Sequence, residues 1–192
     1  MKVFTRLRSC LMALPAANID TDQILPASYM KGLTRDGLGV HLFDKLRHDE
    51  SGAPRPEFIL NRPENADAQI LLSGPNFGCG SSREHAVWAL VDHGIRCIIA
   101  PSFGMIFAGN CARNGLLLIS PDDSTMARLH ESVGTEIEVD LERECITLAD
   151  GSVLPFAIDA RVRTRLLNGQ DDIQRTLAHV AEIDAFEAAA VG

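Results

Sequence analysis

The chain has 192 residues, 46% of them hydrophobic and 23% charged, with a formal net charge of −8. That is enough chain for one domain with a buried core, and the acidic balance argues against nucleic acid as the main partner. No apolar run approaches the roughly 20 residues that a membrane-spanning helix needs.

Lys2, Arg6 and Arg8 followed by the apolar run 10–17 faintly resemble a secretion signal. The run is short, is broken by Pro15 and leads straight into patterned sequence. Residues 2–14 therefore read as one or two strands, and the protein as cytoplasmic. The polar patch Asn18-Ile19-Asp20-Thr21-Asp22-Gln23 follows. Its two acids suggest either a metal loop or capping and turn hydrogen bonds. The EF-hand spacing fails, since the required Gly and terminal Glu are missing. Residues 27–40, with Tyr29, Met30, Lys31, Gly32, Thr34 and Arg35, read as a surface loop able to close on a ligand. Residues 41–47 suggest a short helix. Residues 48–57, with Pro54 and Pro56, suggest a loop.

The next stretch organises the chain. Gln69 to Ser73 reads as a short apolar strand. Glu84 to His93 reads as a helix with Ala86, Val87, Leu90 and Val91 on one side. Ile95 to Ala100 reads as a second buried strand. Strand, turn, helix and strand make a βαβ unit, which predicts two parallel strands. The turn between them is Pro75-Asn76-Phe77-Gly78-Cys79-Gly80-Ser81-Ser82-Arg83. Gly78 and Gly80 permit close backbone approach or positive φ. Ser81 and Glu84 have the S-x-x-E capping-box spacing, which predicts a helix start at Ser81 or Ser82. A helix N-terminus suits an anion, and Arg83 adds a planar, two-pronged carboxylate binder. Two readings stay open: a carboxylate site with a serine placed for proton transfer, or a capped helix that happens to carry an arginine.

Other turn chemistries fail on spacing. The third glycine of G-x-G-x-x-G is missing, and no Gly-Lys-Ser/Thr occurs. Neither serine has the glycines of a nucleophile elbow. His85 reads as a structural hydrogen-bond donor on the helix. The five cysteines are odd in number and contain no C-x-x-C, which fits reduced thiols and neither a disulfide frame nor a zinc site. Cys97 falls in a buried strand and reads as core. Cys79 is either reactive or simply small enough for the turn.

Beyond the turn, a helix is predicted from Pro101-Ser102-Phe103 to Arg113, stopped by Asn114-Gly115. Leu116 to Ile119 reads as a strand. Pro121 to Val133 reads as a helix capped by Asp122, Asp123 or Ser124. Glu136 to Leu141 alternates as a strand, with Ile137, Val139 and Leu141 on one face. Strands at 145–148 and 153–156 are joined by an Asp150-Gly151 turn. Helices at 159–167 and 171–190 are separated by Asn168-Gly169. The order predicts a single α/β domain over 1–192 with a mixed sheet.

The run from Asn76 to Ala86, with its G-S-S-R-E-H core, resembles the signature of the small subunits of isopropylmalate isomerase, a family related to aconitase. The likeness covers nearly the whole chain. It includes Asn18 to Pro26, the block Thr34-Arg35 with Gly37, Gly39, His41, Leu42 and Phe43, and the later stretches around Pro101-Ser102-Phe103 and Leu167-Asn168-Gly169. The resemblance implies a swivelling β/β/α domain like the C-terminal domain of aconitase. It implies a [4Fe-4S] cluster in a separate large subunit, with none in this chain and no other metal. The implied reaction is a stereospecific dehydration and rehydration of a hydroxy diacid, 2-isopropylmalate to 3-isopropylmalate, in leucine biosynthesis. Related subunits act on citramalate/citraconate, dimethylmalate or homoaconitate, and a non-catalytic carboxylate-binding domain is a further alternative. By motif, Ser81 is the base and Asp22 the acid that orients the site. Ser82 and Arg83 bind substrate, as does Arg35 by a looser match. Tyr29, Met30 and Lys31 fall in the region that faces the variable part of the substrate. The implied partners are the large subunit and a small diacid, with no nucleic acid and no membrane.

Overall fold

The computed structural model describes residues 1–30, 35–169, 177 and 180–190. Among them, seven strands form one mixed sheet. They are β1 (Arg6–Leu14), β2 (Ile70–Ser73), β3 (Cys97–Ile99), β4 (Leu117–Ile119), β5 (Glu136–Asp140), β6 (Cys145–Thr147) and β7 (Val153–Pro155), ordered β4-β3-β2-β1-β5-β6-β7. β1 is the pivot. It runs parallel to β2, with Leu11 opposite Ile70, and antiparallel to β5, with Ser9 opposite Ile137. Residues 2–14 thus hold one nine-residue strand. The helices are α1 (Thr21–Ile24), α2 (Asp44–Arg47), α3 (Glu84–His93), α4 (Met105–Asn114), α5 (Asp123–Glu131), α6 (Ala160–Asn168) and α7 (Val180–Ala190).

Side chains alternate across the parallel strands, so the sheet feeds two cores. Met12, Leu71 and Ile98 join Ala86, Val87 and Leu90 of α3 and Phe107 and Cys111 of α4. Leu11, Ile70, Leu72, Cys97 and Ile99 join Met126 and Leu129 of α5 and Leu166 of α6. The expected βαβ unit is β2-α3-β3, and its strands are parallel. A second unit, β3-α4-β4, continues the pattern. Asp122 caps α5, accepting from the Thr125 N–H at 2.7 Å. Gly115 and Gly169 end α4 and α6 at φ 78° and 63°. The helix expected over 171–190 lies partly outside the described residues.

α3 spans the Glu84–His93 read from the apolar periodicity, but two helix starts inferred from local signals are not realised. The expected capping box at Ser81 and Glu84 does not form, and α3 begins at Glu84 with Arg83 extended before it at φ −120° and ψ 104°. The Glu84 carboxylate is used elsewhere, accepting from Asn114 Nδ2 at 2.8 Å. The Ser81 carbonyl accepts from the Thr21 hydroxyl at 3.0 Å. Likewise α4 begins at Met105, not at 101–103. Ser102 and Phe103 are held extended against the central turn, because Phe77 N–H donates to the Ser102 carbonyl at 3.1 Å and Gly104 N–H to the Phe77 carbonyl at 2.9 Å.

Candidate active site

The chains leaving the C-terminal ends of β1, β2 and β3 meet at one edge of the sheet, where ligands collect in α/β folds. The Ser73 hydroxyl donates to the Leu14 carbonyl at 2.9 Å and ties the first two exits together. Asn18 and Asn76 both take left-handed backbone, at φ 56° and 60°. Asn76 Nδ2 donates to Asn18 Oδ1 at 2.8 Å, and Asn18 N–H to the Pro75 carbonyl at 2.9 Å. Gly78 N–H donates to the Ile19 carbonyl at 2.7 Å, and Thr21 N–H to the Cys79 carbonyl at 3.0 Å. The polar patch and the central turn, far apart in sequence, are thus laced along their backbones.

Within this frame Asp20 and Asp22 divide the work. Asp20 caps α1 in a true capping box with Gln23: the Gln23 N–H reaches Asp20 Oδ1 at 2.7 Å, and the Asp20 N–H reaches Gln23 Oε1 at 3.0 Å. Of the two readings of the patch, capping is the one realised at Asp20. Asp22 faces away from the cap. Its Oδ1 accepts from Arg83 Nη1 at 2.9 Å and from the Ala27 N–H at 3.2 Å, and its Oδ2 accepts from Lys45 Nζ. Lys45, then Arg83, then the Ala27 N–H stabilise the anion and hold the carboxyl at about 2. Lys45 escaped the sequence reading. Only the fold, which lays α2 beside α1, places it on Asp22.

Ser81 and Ser82 are exposed between Gly80 and Arg83, and neither hydroxyl has a hydrogen-bond partner among the described residues. Arg83 is partly buried, with a side-chain exposure of 27%. Cys79 is half-buried in the turn. Gly78 needs its missing side chain for packing: its φ is +73°, and a Cβ would lie 2.2 Å from the buried Phe107 ring. What its backbone approaches is therefore the core. Gly80, at φ +91°, has room but the same backbone requirement. The His85 ring packs on Trp88, with centroids 4.5 Å apart.

Other expected site residues lie elsewhere. The Tyr29 ring stacks on His41 at 3.8 Å, and its hydroxyl donates to Asp44 Oδ2 at 2.8 Å. Met30 packs against the core. Lys31 lies outside the described residues. Arg35 sits over the Trp88 ring, 5.1 Å from its centroid, rather than on the Asp22–Arg83 pair. It lines a cavity of about 630 Å³ with Trp88, Arg96 and Arg113. Among the described residues no group of three or more His, Cys, Asp or Glu side chains could hold a metal ion. No helix among the described residues is long and apolar enough to cross a membrane.

Fold and site together define an aconitase-type domain. Residues 1–123 match the aconitase C-terminal domain family, and residues 123–160 match the LeuD_N family. The 3-isopropylmalate dehydratase small subunit of Dinoroseobacter shibae is 49% identical, aligned over 99% of this chain and 96% of its own length. That of Agrobacterium fabrum is 48% identical, over 98% and 96%. The crystal structure of 3-isopropylmalate dehydratase from Methanocaldococcus jannaschii has the same fold, with a TM-score of 0.69, 24% identity and coverage of 95% of this chain and 99% of that one. The chain belongs to the family of 3-isopropylmalate dehydratase small subunits.

Proposed function

We propose that this chain supplies half of the active site of a hydro-lyase that interconverts 2-isopropylmalate and 3-isopropylmalate. The other half, with the [4Fe-4S] cluster, comes from a large subunit. The observation that carries this reading is the Asp22–Arg83 ion pair beside the exposed Ser81–Ser82 backbone, in a chain of this family. The reaction removes a proton from one carbon and a hydroxyl from its neighbour, then adds water across the alkene in the opposite sense. A serine is a poor base at its ordinary pKa and needs donors and positive charge around its anion. Ser81, two residues before Arg83, accepts the carbon-bound proton. Arg83 clamps a substrate carboxylate through the part of its guanidinium that Asp22 leaves free. Asp22 orients Arg83, and Ser82 shapes the pocket. By the family motif Tyr29, Met30 and Lys31 meet the variable part of the substrate, while Arg35, which stands over the Trp88 ring and away from the Asp22–Arg83 pair, is left out of the site.

The test is reconstitution with the large subunit and assay against 2-isopropylmalate, citramalate, dimethylmalate and homoaconitate. Ser81→Ala should leave folding and assembly intact and lower kcat by about 10²–10⁴-fold, the usual effect of removing a general base. A Ser81→Ala enzyme that melts early but turns over normally would make Ser81 a structural residue only. Preference for another diacid would move the substrate.

A further inference from the structure

We infer that Lys45 is a positioning residue of the substrate clamp, acting through Asp22 on Arg83, and that α2 ties this clamp to the Tyr29 segment. The inference rests on the proposed role of Arg83.

The chain of contacts is continuous. Lys45 Nζ meets one oxygen of Asp22, and Arg83 Nη1 meets the other at 2.9 Å. A carboxylate held at only one oxygen can swing about its Cβ–Cγ bond. Held at both, it fixes the direction of the guanidinium. Asp22 stands on the short helix α1, and Arg83 lies in extended backbone before α3. Neither element is long enough to hold its side chain without help. The groups facing Asp22 are Lys45 from α2, Arg83 from the central turn and the Ala27 N–H. Two cations therefore share one carboxylate, so a substrate carboxylate at Arg83 finds a local excess of positive charge. Arg83 stays on Asp22 and meets substrate with the rest of its guanidinium.

The residue next to Lys45 gives α2 its second role. Asp44 accepts from the Tyr29 hydroxyl at 2.8 Å, and Asp44 Oδ1 lies 2.8 Å from His48 Nδ1. Tyr29 and Lys45 line the same cleft, of about 600 Å³. Adjacent residues of one helical turn thus hold the Tyr29 segment on one side and the Asp22–Arg83 pair on the other. A shift of α2 moves both.

The experiment uses Lys45→Met and Lys45→Arg in the full-length small subunit, alone and reconstituted with the large subunit. Side-chain exposures of 55% for Lys45 and 40% for Asp22 make this a partly solvated pair. The expected effect of Lys45→Met is modest: KM for isopropylmalate rises about 2- to 5-fold, with kcat changed less. A carboxyl NMR titration of the small subunit should show Asp22 moving to higher pH in Lys45→Met and returning in Lys45→Arg. The melting temperature should stay near wild type. Arg83→Lys is the control. If Arg83→Lys raises KM and Lys45→Met leaves both KM and the Asp22 titration unchanged, the inference fails and the clamp stands. If Arg83→Lys also leaves KM unchanged, the clamp itself is wrong.

Discussion

Gly78→Ala tests whether the central turn is built on core packing. Gly78 has φ +73°, and a Cβ there would lie 2.2, 2.4 and 2.7 Å from three atoms of the Phe107 ring. Left-handed backbone costs an alanine about 1–2 kcal/mol. Phe107 is 2% exposed and packs edge-on against the fully buried Phe77 at 5.6 Å, so it cannot turn aside freely. Overpacking of this kind costs about 1–3 kcal/mol. The sum is about 2–5 kcal/mol, or a fall in melting temperature of roughly 4–20 °C for a chain this long. Gly80→Ala is the matched comparison. It has the same backbone penalty at φ +91°, but its nearest neighbour is the Asp20 Cβ at 3.5 Å, an ordinary contact. It should lose only about 1–2 kcal/mol. Calorimetry or circular dichroism melts of both variants give the measurement, and Gly78→Ala/Phe107→Leu should recover part of the packing loss. If Gly78→Ala melts no lower than Gly80→Ala, the Phe107 contact does not set the turn.

Two more outcomes follow from the same geometry. Arg83→Lys keeps the charge and loses the planar fork, so KM should rise by the equivalent of about 1.5–3 kcal/mol; unchanged steady-state kinetics in the reconstituted enzyme would remove Arg83 from the site. In thiol labelling of the folded chain, half-buried Cys79 should react ahead of Cys97 and Cys111, because burial pushes those two thiols up and leaves almost no thiolate. Mass spectrometry showing Cys97 or Cys111 modified as fast as Cys79 would contradict the packing described here.

Periodic and punctuated stretches were legible in the sequence. Leu71 and Ile98 alternate with Ile70, Leu72 and Cys97, and the strands they mark feed opposite cores. Gly115, Gly169 and Asp122 end or cap helices where their local chemistry says they should. The periodicity gave the Glu84–His93 helix, but starts inferred from capping signals failed, because tertiary contacts outcompeted the local rule. Ser81 and Glu84 have capping-box spacing, yet the Thr21 hydroxyl takes the Ser81 carbonyl and Asn114 takes the Glu84 carboxylate. The Pro101 start failed for the same reason, with Ser102 spent on Asn76 and Phe77. The motif read the Asp22 and Arg83 residues, but their meeting across 61 positions, and the arrival of Lys45, depend on the register between exits from β1 and β2.

The electrostatics of the site follow from short distances. The net charge of −8 opposes a dianionic substrate, but charges more than about 8 Å away through solvent are largely screened at physiological salt. Lys45 and Arg83 are in direct contact with Asp22, and this trio carries one net positive charge. Under the proposed function, a substrate carboxylate at Arg83 meets that local charge before it feels the rest of the surface. In the isolated chain the interaction is weakened by water, since Asp22 and Lys45 are 40% and 55% exposed. The same solvent reaches the Ser81 hydroxyl, where it competes for any proton the serine would take. Under the proposed function, a partner that closes over this edge of the sheet changes both at once. Excluding water strengthens the Arg83–carboxylate contact and removes the solvent that competes for the Ser81 hydroxyl. Under that reading, the three segments of this chain set the chemistry at Ser81, Ser82 and Arg83, and the partner sets the dielectric around them.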